Sequence, residues 1–156
     1  MAAMDATERA IEMLNQVLQR KMHSPAAYVL EASPHATQDD QPIVEAIEAL
    51  NATARRQAEE TARRILALEG VPYGGSYDAS VADSNYLSVR YLLGQLLARL
   101  EQDIALFEQY RARCEVREIK DFLGSVIEQD LAHRGRLEQL RQQLRAERPA
   151  AETHLP

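Results

Sequence analysis

Glu69-Gly70-Val71-Pro72-Tyr73-Gly74-Gly75-Ser76-Tyr77, with about six further residues up to Asp83, is the one long stretch without a helical period. Its length decides the topology. From Val71 to Asp83 it can reach roughly 40 Å when extended, close to the roughly 40–45 Å of a helix of about 28 residues. It can therefore cross a whole bundle. Elsewhere turn formers fall in few places, which leaves four long segments. The first runs from about Ala6 to Ala32 and stops in Ser33-Pro34-His35. The second opens at Asp39-Asp40-Gln41-Pro42, acidic residues ahead of a proline as a helix start requires, and closes at Glu69-Gly70-Val71-Pro72. The third runs from about Ser84 to Arg113, and the fourth from about Val116 to Ala146. Short breaks make helices one and two, and helices three and four, antiparallel hairpins. The expected fold is all-α: an antiparallel four-helix bundle over residues 1–146 with a long crossover between helices 2 and 3. Residues 147–156 carry two prolines and no apolar stripe, and are expected to form a flexible tail.

Composition agrees with a single domain of this kind. The chain has 156 residues, 46% hydrophobic and 27% charged, enough to close one core without staples. Cys114 is the only cysteine, which excludes an internal disulfide and a Cys-based zinc site. Met1 to Arg9 mixes acidic and basic residues before any apolar stretch, and no run reaches about 18 uninterrupted apolar residues. Neither a secretory signal nor a membrane span is expected, so the expected location is cytoplasmic. Eighteen Lys+Arg against 24 Asp+Glu, a net charge of −6, speaks against general affinity for nucleic acid, although a local basic patch stays open. The charge-rich stretch Arg134 to Arg148 reads as a solvated helix end. Gly74-Gly75 lacks the strand-loop-helix setting of a phosphate loop, and no Ser-His-Asp or Cys-His set falls on one helix face.

Each helix has an apolar stripe spaced by threes and fours. In helix one it reads Ile11, Leu14, Leu18, Lys21, Pro25, Tyr28; in helix two Ile43, Ile47, Leu50, Ala54, Gln57, Thr61, Ile65, Leu68. Helix three gives Leu93, Leu97, Leu100, Ile104, Phe107, with Glu101 in the same arc, and helix four gives Leu123, Val126, Asp130, His133, Leu137, Leu140. Every stripe is apolar toward its ends and polar at its centre. A buried charge costs several kcal/mol unless paired or metal-bound, so four polar centres at one level call for an account. One account is a hydrogen-bonded cluster that fixes register. The other is a metal site, since a carboxylate and an imidazole three residues apart on one helix can grip the same cation. Pro25 either kinks helix one or restarts it behind Ser24. His23 is off the stripe unless a kink turns it inward, and His35 and His154 are expected to be solvated.

The crossover, the mid-bundle carboxylates and Asp130-x-x-His133 resemble the ferritin-like superfamily, bacterioferritin in particular. Leu14-Asn15, the run Arg64 to Pro72, Leu100-Glu101, and His133 with Leu137-Glu138 carry the resemblance, which extends to about Arg145. In that family glutamates on helices one and three and Glu-x-x-His pairs on helices two and four hold two irons. The resemblance places Lys21, Ala54 and Gln57 at altered ligand positions, Glu101, Asp130 and His133 at retained ones, and Tyr28 beside the site. Arg55 stands where bacterioferritins have their haem-binding methionine, so no haem is expected.

The resemblance thus implies an altered di-iron site. A normal ferroxidase is not expected: the ammonium of Lys21 repels a metal, and Ala54 removes a carboxylate. The first expectation is a non-catalytic structural or interaction protein related to iron handling. The alternative is a mononuclear iron, manganese or zinc protein, or an oxidase, using Glu101, Asp130 and His133. The resemblance implies a homodimer packed through helices one and two rather than a large cage. Another ferritin-like or other protein assembly is a further candidate partner, with Tyr86, Leu87, Tyr91 and Leu92 as a contact surface.

Overall fold

The computed structural model describes residues 3–32, 34–75 and 88–152. Its helices are α1 (Ala6–Met22), α2 (Pro25–Ala32), α3 (Gln41–Ala67), α4 (Val89–Arg113) and α5 (Arg117–Glu152). Helices α1 and α2 form one column, and α3, α4 and α5 supply the other three. Packing is closest between α4 and α5 and between α1 and α3, the two hairpins expected from the short breaks. Between them lies a core that includes Leu14, Ile47, Ile65, Leu93, Leu97, Phe107, Leu123 and Leu137.

Local chemistry sets the helix ends. Asp5 caps α1: its carboxylate accepts from the Glu8 N–H at 2.7 Å, and Glu8 returns a bond to the Asp5 N–H at 3.2 Å. The first column is broken rather than continuous. Helix α1 stops where the His23 N–H reaches the Gln19 carbonyl at 3.1 Å, and Pro25 occupies the first position of α2. The restart is the outcome, and the kink is not. At the end of α3, the Glu69 N–H bonds the Leu66 carbonyl and the Gly70 N–H bonds the Ile65 carbonyl, each at 2.9 Å. Glu69 takes the left-handed conformation usual for glycine there, φ 65°. The glycine stands one place later because a Cβ on Gly70 would come within 2.8 Å of Ile11 Cγ2.

The connection then runs back along α1. Asn15 Nδ2 donates to the Val71 carbonyl at 3.1 Å, and Asn15 Oδ1 accepts from the Tyr73 N–H at 2.6 Å. His23 Nε2 meets the Gly74 carbonyl at 2.7 Å, while its Nδ1 meets the Tyr28 hydroxyl at 3.0 Å. Residues 70 to 74 thus travel from Ile11 to His23, most of the length of α1. Residues 76–87, which include the expected helix start at Ser84 as well as Tyr86 and Leu87, lie outside the described residues. Helix α4 opens behind Ser88, whose Oγ accepts from the Tyr91 N–H at 3.2 Å. The Val89 N–H bonds the His35 carbonyl at 2.9 Å, so α4 begins at the end of the bundle where α3 begins. The connection from Leu68 to Ser88 therefore returns the chain across the bundle, as its length predicts.

One boundary and one face differ from expectation. Helix α5 continues to Glu152, past Ala146, so residues 147–152 are helical rather than part of a tail; residues 153–156, with His154, lie outside the described residues. Leu92 is buried, leaving Tyr91 alone of the described members of the suggested contact surface exposed. No described helix is long and apolar enough to cross a membrane.

Asp40 ties the start of α3 to the start of α4. Its carboxylate is buried and accepts from Arg90 Nε at 2.6 Å, from the Thr37 N–H at 2.8 Å and from the Thr37 hydroxyl at 3.1 Å. Burial pushes its pKa up, but the Thr37 and Arg90 donors outweigh that and hold it below the ordinary value of 3.8. A depressed carboxylate stabilises the fold above its unfolded pKa, and that contribution is lost as pH falls through the folded one. Asp40→Asn is expected to lower stability at neutral pH and to flatten its fall below about pH 4. Urea unfolding over a pH series checks both, and an unchanged slope would contradict the assignment.

Candidate functional site

Three columns bring polar side chains to the middle of the bundle. Lys21 lies in the last turn of α1, on the stripe of Leu14, Val17 and Leu18, and is 6% exposed. Asp130 of α5 is 0% exposed. Lys21 Nζ lies 2.6 Å from Asp130 Oδ2, so two charges carried by residues far apart in sequence meet in the core. Gln57 of α3 donates from Nε2 to Asp130 Oδ1 at 3.2 Å and to Gln129 Oε1 at 3.0 Å. The Phe107 ring of α4 lies beneath the ammonium, with Nζ 5.3 Å from the ring centroid. Gln57 Oε1 is buried without a hydrogen-bond partner among the described residues. Ala54 contributes a methyl group and no donor atom, and with Lys21, Ser24, Leu100 and Asp103 it lines a cavity of about 20 Å³, room for roughly one water.

His133 sits one turn beyond Asp130 and is half-buried. Its Nε2 lies 2.8 Å from Thr53 Oγ1, and Arg56 Nη2 donates to the same oxygen at 3.2 Å. Burial pushes the His133 pKa below the ordinary 6.5; Asp130 opposes this, while Lys21 and Arg56 reinforce it. The ring is therefore neutral at pH 7, and Nε2 can accept from the Thr53 hydroxyl. Since the folded pKa is the lower one, stability from the neutral ring is complete above the unfolded value near 6.5 and declines as pH falls from there through the folded value. The His133 ring protons are expected to titrate below pH 6.5 by NMR. A midpoint at or above that value would contradict this environment.

Glu101 is not brought to this cluster. It is exposed, because the buried stripe of α4 runs through Val89, Leu93, Leu96, Leu100 and Phe107, and Glu101 lies about 100° around the helix from Leu100. The buried acid of α4 is Asp103, which accepts from Arg20 Nη1 at 2.7 Å and from Arg99 Nε at 3.2 Å. Asp103 keeps the three-and-four spacing with Leu96, Leu100 and Phe107, and Arg99 stands four residues before it, so its signal was in the sequence. Thr53 and Phe107 carried no comparable signal, since their roles depend on what faces them from other helices. Among the described residues, no group of three or more His, Cys, Asp and Glu side chains is placed to hold a metal ion.

No family model matches the sequence. No curated protein matches it either. Solved structures do match. A ferritin-like diiron-carboxylate protein from Bacillus anthracis str. Ames superposes with a TM-score of 0.73 at 19% identity, over 89% of this chain and 99% of that one. The fold is ferritin-like. Rhodobacter capsulatus bacterioferritin, solved with a metal-free dinuclear site and haem iron, gives a TM-score of 0.67 at 23% identity over 90% of this chain and 87% of that one. At these identities the likeness extends to the ferritin-like bundle and its long connection between the second and third columns. The chemistry of the centre rests on this chain's own residues.

Proposed function

We propose that this ferritin-like bundle carries no di-iron centre and acts as a non-catalytic structural or interaction protein. The contact between Lys21 Nζ and Asp130 Oδ2, at 2.6 Å in the core, supports this reading above all. An ammonium there supplies the positive charge that a metal would supply, and repels a metal from the same carboxylate. The residues present do not fit two irons. Asp130 and Asp103 are already ion-paired, Ala54 offers no ligand atom, and Glu101 faces away. The chain is proposed to pair with a second copy through α1 and α3, where Met22 of α1, Leu66 of α3, and Val71 and Tyr73 of the connection that runs along α1 are exposed. Light scattering is expected to give roughly 35 kDa, twice the 17.6 kDa of one chain.

Metal analysis of protein purified without chelator tests the central claim. The expected result is no stoichiometric iron, manganese or zinc, and no shift in melting temperature when each is added. One equivalent of metal that disappears in His133→Ala would overturn it in favour of a mononuclear site involving Asp130 and His133. Lys21→Glu serves as the positive control. It is expected to be less stable than the wild type in chelator and partly rescued by added divalent metal, because it removes the internal cation and adds a ligand.

A further inference from the structure

Where the N-terminal part of α4 faces the C-terminal part of α5, a groove of about 910 Å³ opens to solvent. Arg90, Arg141 and Arg145 line it with Tyr91, Gly94 and a single acid, Glu147. On a chain of net charge −6 this is a local reversal of sign. Arg141 and Arg145 are one turn apart on α5, and neither has an ion-pair or hydrogen-bond partner among the described residues. Two such cations on one helix face repel each other, and an anion between them removes the repulsion. Arg90 is held by the buried Asp40 through its Nε at 2.6 Å, which fixes the guanidinium and leaves its Nη groups unpaired among the described residues. Tyr91 is 57% exposed on the same wall. Gly94 keeps the floor open, with the Arg141 guanidinium 3.8 Å from where a Cβ would stand.

We propose that this groove binds a nucleoside polyphosphate, its phosphates between Arg141, Arg145 and Arg90 and its base against Tyr91. The volume exceeds what a free phosphate needs and lies in the range of small-molecule sites. Planar guanidinium forks match phosphate oxygens in pairs, and an exposed tyrosine offers a face for stacking to any base. The stretch that reads as a solvated helix end in the sequence becomes a binding wall because α4 adds Arg90 and Tyr91 opposite it.

Calorimetric titration of the full chain with ATP, pyrophosphate and adenosine tests the assignment. ATP is expected to bind saturably and more weakly as salt rises, with pyrophosphate weaker and adenosine weakest. Arg141→Glu/Arg145→Glu is expected to weaken ATP at least about tenfold, and Tyr91→Ala to weaken ATP while leaving pyrophosphate unchanged. Gly94→Leu, which places a good helix former on the floor of the groove, is expected to block ATP without loss of melting temperature. No saturable ATP binding would overturn the proposal. So would ATP binding that survives both the double arginine variant and Gly94→Leu, or pyrophosphate binding as tight as ATP with Tyr91→Ala silent.

Discussion

Lys21→Ala is expected to destabilise the protein by about 3–5 kcal/mol, because it leaves the Asp130 carboxylate buried and unpaired. At this chain length that is a fall in melting temperature on the order of 10 °C. Gln57 Nε2 would still donate to Asp130, but one neutral donor at 3.2 Å does not replace an ammonium at 2.6 Å. The control is Lys21→Met/Asp130→Leu. It removes both charges and leaves Gln57 its bond to Gln129, so most of the lost stability is expected to return. Denaturant unfolding of the wild type, the single variant and the pair checks this. A single variant within about 1 kcal/mol of the wild type would show that the two charges do not depend on each other.

Phe107→Ala is expected to cost about 3–5 kcal/mol, since the ring is 0% exposed and its removal opens a cavity at the level of the ion pair. The ring also lies 5.3 Å from Lys21 Nζ, so it contributes more than volume. Phe107→Leu keeps much of the packing and loses the ring face, at a cost of roughly 1–2 kcal/mol. In a double-mutant cycle with Lys21→Met, the coupling is expected to be about 0.5–2 kcal/mol. Additive losses would mean that the ring acts as packing alone.

Much of this arrangement was legible in the sequence. The length of the connection allowed a crossover, and the stripes placed Lys21, Gln57 and Asp130 at one level, where the structure brings them together. Periodicity is weaker at fixing the edges of a stripe. Glu101 and Asp103 both stand near the apolar face of α4, about 200° apart on the helical wheel, and only packing against α1 and α5 shows which is buried. The break between α1 and α2 was one of two readings of Ser24-Pro25, decided by local bonding around His23. The partners of His133 and Phe107 come from other helices, and no spacing within one helix reveals them.

Lys21 and Asp130 are 109 residues apart, and each belongs to a different hairpin. The α4–α5 hairpin closes over the three residues Cys114 to Val116, and its contacts are local, so it can gather early in folding. The ion pair can form only once the two hairpins have docked. It therefore acts as a late lock: Lys21→Ala is expected to leave the refolding rate nearly unchanged and to raise the unfolding rate by most of the lost stability. Stopped-flow chevrons in which the refolding limb falls instead would place the pair in the folding nucleus. With the lock formed last, this internal charge pair bears on how long the native bundle lasts rather than on how readily the helices assemble.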